Sequence, residues 1–149
     1  MLSAIQVLRH VFTDFSVKAV TLSEGKSEIE TLIDYEINAT QKEHSEMPNL
    51  WEITLKMNFS RKNRKNETVD YKGKLCLVGL FVIHPDFPSE KCEYLARMNG
   101  GAVLMGAARE AVVNQTLRSI NGPMELPLVD ARTFLPKEQQ TTTLVPDNY

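Results

Sequence analysis

The chain is 149 residues long, 42% hydrophobic and 24% charged, with 17 Lys and Arg against 19 Asp and Glu. That is the length and composition of one ordinary domain, which excludes a disordered chain and argues against two independent cores. Near-neutrality excludes a global basic field for nucleic acid or an anionic membrane.

The first element is a β-rich stretch carrying Ile5, Val7, Val11, Phe12, Phe15 and Val17, with an irregularity expected near Asp14. A second strand follows at Ile33 to Ala39, where apolar and polar residues alternate, and the loop Gln41 to Asn49 comes after it. The clearest signal is Trp51 to Ser60, in which five apolar residues alternate with five polar ones, as in a strand with one face buried and one wet. Arg61, Lys62, Arg64 and Lys65 then put four positive charges into six residues. They read as a solvated hairpin turn, with a nucleic-acid patch as the alternative. From Tyr71 the pattern alternates with Lys72 and Lys74, but Leu75 to Ile83 is apolar apart from Gly79, which predicts a strand covered on both faces.

Helical chemistry begins at Ser89 and runs to Met98. Asn99-Gly100-Gly101 reads as a break before a longer helix, Ala102 to Ile120, which Gly122-Pro123 stops. On that helix Met105, Ala108, Val112, Val113, Leu117 and Ile120 spread over about half the circumference, wider than one contact needs. Met124 to Val129 is an apolar extended connector, after which Asp130 is placed to cap a short turn, Ala131 to Leu135, cut off by Pro136. One domain, residues 1–138, is therefore expected, with 139–149 as a disordered tail.

No catalytic constellation stands out. His10, His44 and His84 fall in separate segments, Gly100-Gly101 lacks the rest of a phosphate loop, and Cys76 lies within a strand pattern. Two cysteines, Cys76 and Cys92, are too few for a disulfide framework and lack zinc-site spacing. No apolar run approaches the ~18 residues of a membrane span. The chain thus reads as a soluble, cytoplasmic binding protein without metal or cofactor, and not as an enzyme.

Val103-Leu104-Met105-Gly106-Ala107-Ala108-Arg109-Glu110 resembles the helix motif of the SecB family of export chaperones, an apolar triplet followed by Pro-Tyr-x-Arg-Glu. Gly122 to Val129 resembles that family's connector, a Phe-Pro-x-Leu-x-Leu-x-Pro-Val pattern. Val7 to Ala19 resembles its first strand, and Leu75-Cys76 with Gly79-Leu80-Phe81 its fourth. The resemblance implies an α+β fold, a four-stranded antiparallel sheet followed by a long helix and a short C-terminal helix, assembled as a dimer of dimers. It implies an ATP-independent holdase for unfolded preproteins. Clients would bind between the strand crossover, with Val20, Leu22 and Ile29, and the connector, with Met124, Leu126 and Leu128; for Leu126 and Leu128 a core position is an equal reading. Met105, Arg109, Val112, Leu77 and Phe81 would meet other subunits.

The pattern is not complete. Gly106 and Ala107 replace Pro-Tyr, and Val129-Asp130-Ala131 replaces Val-Asn-Phe. Asp14 and Leu75 match contacts of the family with the SecA motor, but Lys18 and Leu77 stand where two acids are expected. SecB-like relatives that serve as chaperones of antitoxins in toxin–antitoxin systems show comparable drift. An antitoxin is therefore the alternative client.

Overall fold

The computed structural model describes residues 1–22 and 28–140. Four long strands, β1 (Ile5–Ala19), β2 (Ile29–Lys42), β3 (Leu50–Asn63) and β4 (Val69–Ile83), form one antiparallel sheet in the order β1-β4-β3-β2. Consecutive pairing accounts for β2-β3-β4. β1 joins on the far side of β4, so the segment between β1 and β2 crosses the end of the sheet. Part of that crossover, residues 23–27, lies outside the described residues. β1 carries two register shifts against β4, between Val7 and Arg9 and between Phe12 and Asp14. The second is the irregularity expected near Asp14.

The alternation of β3 decides which face is core. Trp51, Ile53, Leu55, Met57 and Phe59 are buried, opposite Phe81, Gly79, Leu77, Leu75 and Gly73 of β4. Gly73 is the position where close approach excludes a side chain: a Cβ there would sit 2.3 Å from the Phe59 ring and 2.6 Å from the Ser16 carbonyl. The apolar run of β4 divides by parity. Leu75, Leu77, Phe81 and Ile83 face the helix, while Cys76, Val78, Leu80 and Val82 lie half-buried on the outer face, which no second layer covers among the described residues.

The helical region does not break at Asn99-Gly100-Gly101. A helical turn at Ser89–Lys91 leads into α1 (Cys92–Leu95), a π-type turn (Ala96–Gly100) and α2 (Gly101–Thr116), with right-handed helical backbone at each junction. The glycines serve packing. A Cβ on Gly100 would lie 2.1 Å from Ile53 Cδ1, and one on Gly101 would lie 2.7 Å from the Phe134 ring. The helix ends four residues earlier than expected, where Thr116 Oγ1 donates to the Val112 carbonyl and accepts the Met124 amide at 2.8 Å.

Leu104, Met105, Ala108 and Val112 form the inward stripe of α2, whereas Leu117 and Ile120 are exposed. From Met124 the connector runs back along the helix. Arg109 Nε donates to the Leu126 carbonyl at 3.0 Å, and Phe134 reaches Gly101. Asp130 caps the Ala131–Phe134 turn through the Arg132 amide, as its position predicts. A last turn, α3 (Lys137–Gln140), follows Pro136, and 141–149 lie outside the described residues. Among the described residues no helix is long and apolar enough to cross a membrane.

Candidate peptide-binding site

The connector and the crossover meet at the end of the sheet, on a buried polar node that the sequence does not advertise. Arg61 continues the inward parity of β3 by one step and is only 5% exposed. Its Nε lies 3.1 Å from both carboxylate oxygens of Asp70 and its Nη2 2.8 Å from one of them. The remaining donors reach the Asn121 carbonyl at 3.1 Å and the Pro123 carbonyl at 3.3 Å, and the guanidinium stacks 4.7 Å from the Tyr71 ring centroid. Tyr71 donates its hydroxyl hydrogen to the Gly122 carbonyl. Gly122 has φ +72°, a left-handed conformation suited to glycine where the chain leaves the helix.

Such a pair is tolerable in a core because each nitrogen of the fork has a partner. It also ties two walls together. Asn121 Nδ2 donates to the Thr21 carbonyl at 2.7 Å and to the Asp70 carbonyl at 3.0 Å. Val20 donates its amide to Asp70, and Thr21 Oγ1 donates to the Val69 carbonyl. The alternation of Trp51 to Phe59, carried on to position 61, is the signal that places Arg61 inside. Its burial corrects the reading of a solvated four-charge turn. Lys62 and Lys65 lie 4.0 and 3.2 Å from Glu30 and Glu28, so the patch offered to nucleic acid is smaller and partly neutralised.

Around this node the expected peptide-binding residues separate. Val20 and Leu22 are 53% and 63% exposed, and Ile29 is half-buried, lining a water-sized pocket with Thr21, Leu22 and Thr68. Met124 and Leu126 are buried, because alternate residues of the extended connector point into the sheet–helix core. Met124 is thus a core side chain, and Leu126 takes the core position that was its equal reading. Leu128 is 81% exposed but lies farther up the helix, beyond the Arg109 contact. A cleft of about 300 Å³ between helix and connector is lined by Gly106, Arg109, Glu110, Val113, Glu125 and Leu126, and not by Leu128. Leu117 and Ile120, exposed beside Asn121, were not expected at this end.

The residues expected between subunits also differ. Met105, Val112, Leu77 and Phe81 are buried within this one chain, since helix and sheet consume each other's apolar faces, and Arg109 is engaged with the connector. Leu75 likewise faces the helix, not the outer surface expected for a SecA contact; Asp14 is exposed, 3.4 Å from Lys74.

Burial, and secondarily the Glu90 carboxylate, push the Cys92 thiol up, away from nucleophilic character. Hydrogen bonds from the Arg132 side chain and backbone lower the Asp130 carboxyl to about 2. Among the described residues no three His, Cys, Asp or Glu side chains group to hold a metal. What the arrangement can do is present apolar side chains on a rigid polar anchor.

No family model matches the chain, and no curated protein matches it by sequence. Among solved structures it is similar to the Rv1957 SecB-like chaperone of Mycobacterium tuberculosis, determined in complex with a ChAD peptide from the Rv1956 HigA1 antitoxin. The TM-score is 0.68 at 13% identity, over 85% of this chain and 91% of that one. A protein of unknown function from Streptococcus agalactiae is similar over 83% of this chain and 97% of its own, at 12% identity and a TM-score of 0.44. The sheet, the long helix and the returning connector therefore make up an α+β fold of the SecB-like kind.

Proposed function

We propose that the chain is an ATP-independent cytoplasmic chaperone that holds unfolded or extended polypeptides, a binder and not an enzyme, with an antitoxin segment as its favoured client. The observation that carries this reading is the SecB-like fold, shared with a chaperone whose structure contains an antitoxin peptide. Val20, Leu22 and Ile29 on the crossover, joined by Ile120 and by Leu128 on the connector, supply the apolar contacts. Extended segments bind such surfaces by area burial and by main-chain hydrogen bonds, which gives affinity without strict sequence choice. Several copies on one oligomer, a dimer of dimers in this reading, would add avidity.

Handover to SecA in protein export has less support. Leu75 is turned inward, and Lys18 occupies the outer face. Fluorescence anisotropy with an extended apolar peptide at micromolar protein tests the proposal. Binding is expected, together with delayed aggregation of an unfolded client. The double variant Val20→Asp, Leu22→Asp is expected to weaken binding by about tenfold or more, from the ~1.5–3 kcal/mol that each buried aliphatic side chain contributes. Absence of both binding and aggregation delay overturns the proposal.

A further inference from the structure

The outer face of the sheet carries a charge arrangement that folding alone does not favour. In the β1-β4 register Lys18 stands directly opposite Lys72, and both are exposed. Like charges directly opposite in an antiparallel ladder are destabilising. Neither lysine has an ion-pair partner among the described residues, whereas Lys74 has Asp14 at 3.4 Å, Lys42 has Glu52 at 3.7 Å and Lys62 has Glu30 at 4.0 Å. The other cationic side chains of the sheet thus mostly have acidic neighbours, and the β1-β4 pair stands out.

The same column of β4 continues upward from Lys72 and Lys74 through Cys76, Val78, Leu80 and Val82, all half-buried and pointing the same way. Val11 of β1, 38% exposed, stands opposite Val78. Residues 72 to 82 of one strand span roughly 33 Å at the usual rise, so the basic end and the aliphatic strip form one continuous track.

We infer that this outer face is a docking surface for an acidic, aliphatic polypeptide segment, whose carboxylates sit between Lys18 and Lys72 and whose apolar residues lie along Val78, Leu80 and Val82. Charge complementarity selects the partner: a carboxylate placed between the two ammonium groups turns their repulsion into attraction on binding. The face suits a polypeptide better than a nucleic acid. Its neighbours at this end are Ser16, Asn58 and Ser60, with no aromatic ring for a base to stack on. Lys18 lies two residues before Val20, so charge dependence is what separates binding here from the apolar contacts of Val20, Leu22 and Leu128.

The test uses the full chain and a labelled synthetic peptide of about ten residues in which Glu residues precede a Val-rich stretch, a length set by the track. Binding is expected to weaken steeply as salt rises. The double variant Lys18→Ser, Lys72→Ser should lose about tenfold in affinity at low salt and flatten the salt dependence, while binding of an uncharged apolar peptide stays unchanged. A peptide with Lys in place of Glu should bind no better to the wild type than to the variant. Equal binding of the acidic peptide by wild type and variant overturns the inference. So does preferential binding of an oligonucleotide through the same lysines, or loss of self-association in the variant, which would assign the face to a second copy.

Discussion

Arg61 and Asp70 have side chains only 6% exposed each and form the most buried ion pair among the described residues. Removing one partner leaves a buried charge without compensation, and such changes typically cost ~3–5 kcal/mol. Asp70→Ala is therefore expected to lower the urea midpoint sharply. The apolar double replacement Arg61→Met, Asp70→Leu should recover much of that loss, because neither charge then remains. A double variant no more stable than Asp70→Ala would mean that the carbonyls of Asn121 and Pro123, not the ion pair, carry the anchoring. Asp130 is the opposite case, an exposed group held by a local contact. Its folded carboxyl is lowered from 3.8 to about 2, chiefly by hydrogen bonds from Arg132. A depressed folded value stabilises above the unfolded one, so the cap contributes fully above about pH 4 and is lost as pH falls through 2. Carbon-detected NMR titration should give a midpoint near 2 for Asp130, returning toward the ordinary value in Arg132→Ala. An unchanged midpoint in that variant would assign the shift to the turn backbone.

At the scale of elements, the strands were legible because a period of two survives in local sequence, and Trp51 to Phe59 shows it without interruption. The β1-β4-β3-β2 order was not, since β1 pairs with residues some 60 positions away and no local pattern encodes that register. The helix was misjudged at Gly100 and Gly101 for a related reason. Glycine breaks helices by its conformational freedom, but here it is demanded by Ile53 and Phe134, both remote in sequence. The candidate site was legible only in part: the sequence marks Val20 and Leu22 as apolar residues of the crossover, and they are exposed, but the inward turn of Met124 and Leu126 depends on how the connector docks. Two helix glycines, Gly101 and Gly106, separate the two roles experimentally. Gly101→Ala meets the Phe134 ring and should destabilise by ~1–3 kcal/mol, as overpacking usually does. Gly106→Ala meets nothing within 4 Å and should stabilise the isolated fold by about 0.5–1 kcal/mol through helix propensity. Thermal denaturation of both variants checks the pair; a destabilising Gly106→Ala would mean that another backbone packs there in the assembled protein.

Across the whole molecule the helical layer covers the sheet unevenly. The connector shields the β2 flank, where Tyr35 meets Phe134 edge-on at 6.0 Å between ring centroids and its hydroxyl pairs with Thr133. β1 is covered only in part, with Ile5 buried and Phe15 and Val17 packed against the core. Val7 and Phe12, in register with the inward-facing Phe81 and Leu77, remain 45% and 37% exposed on the helix side. A side chain on the core face of a sheet that its own chain leaves open is the natural contact for another subunit, and a Val and a Phe buried there would contribute ~1.5–3 kcal/mol each. This flank, not Met105, Val112, Leu77 or Phe81, is where subunits of an oligomer are expected to meet. Light scattering at micromolar concentration should give a mass above that of one chain, and Val7→Asp with Phe12→Asp should reduce it while leaving the circular dichroism unchanged. A wild-type monomer under those conditions would remove the dimer-of-dimers expectation, and an oligomer insensitive to both substitutions would move the contact to the exposed residues of α2 and the turn after it, Val103 and Leu117.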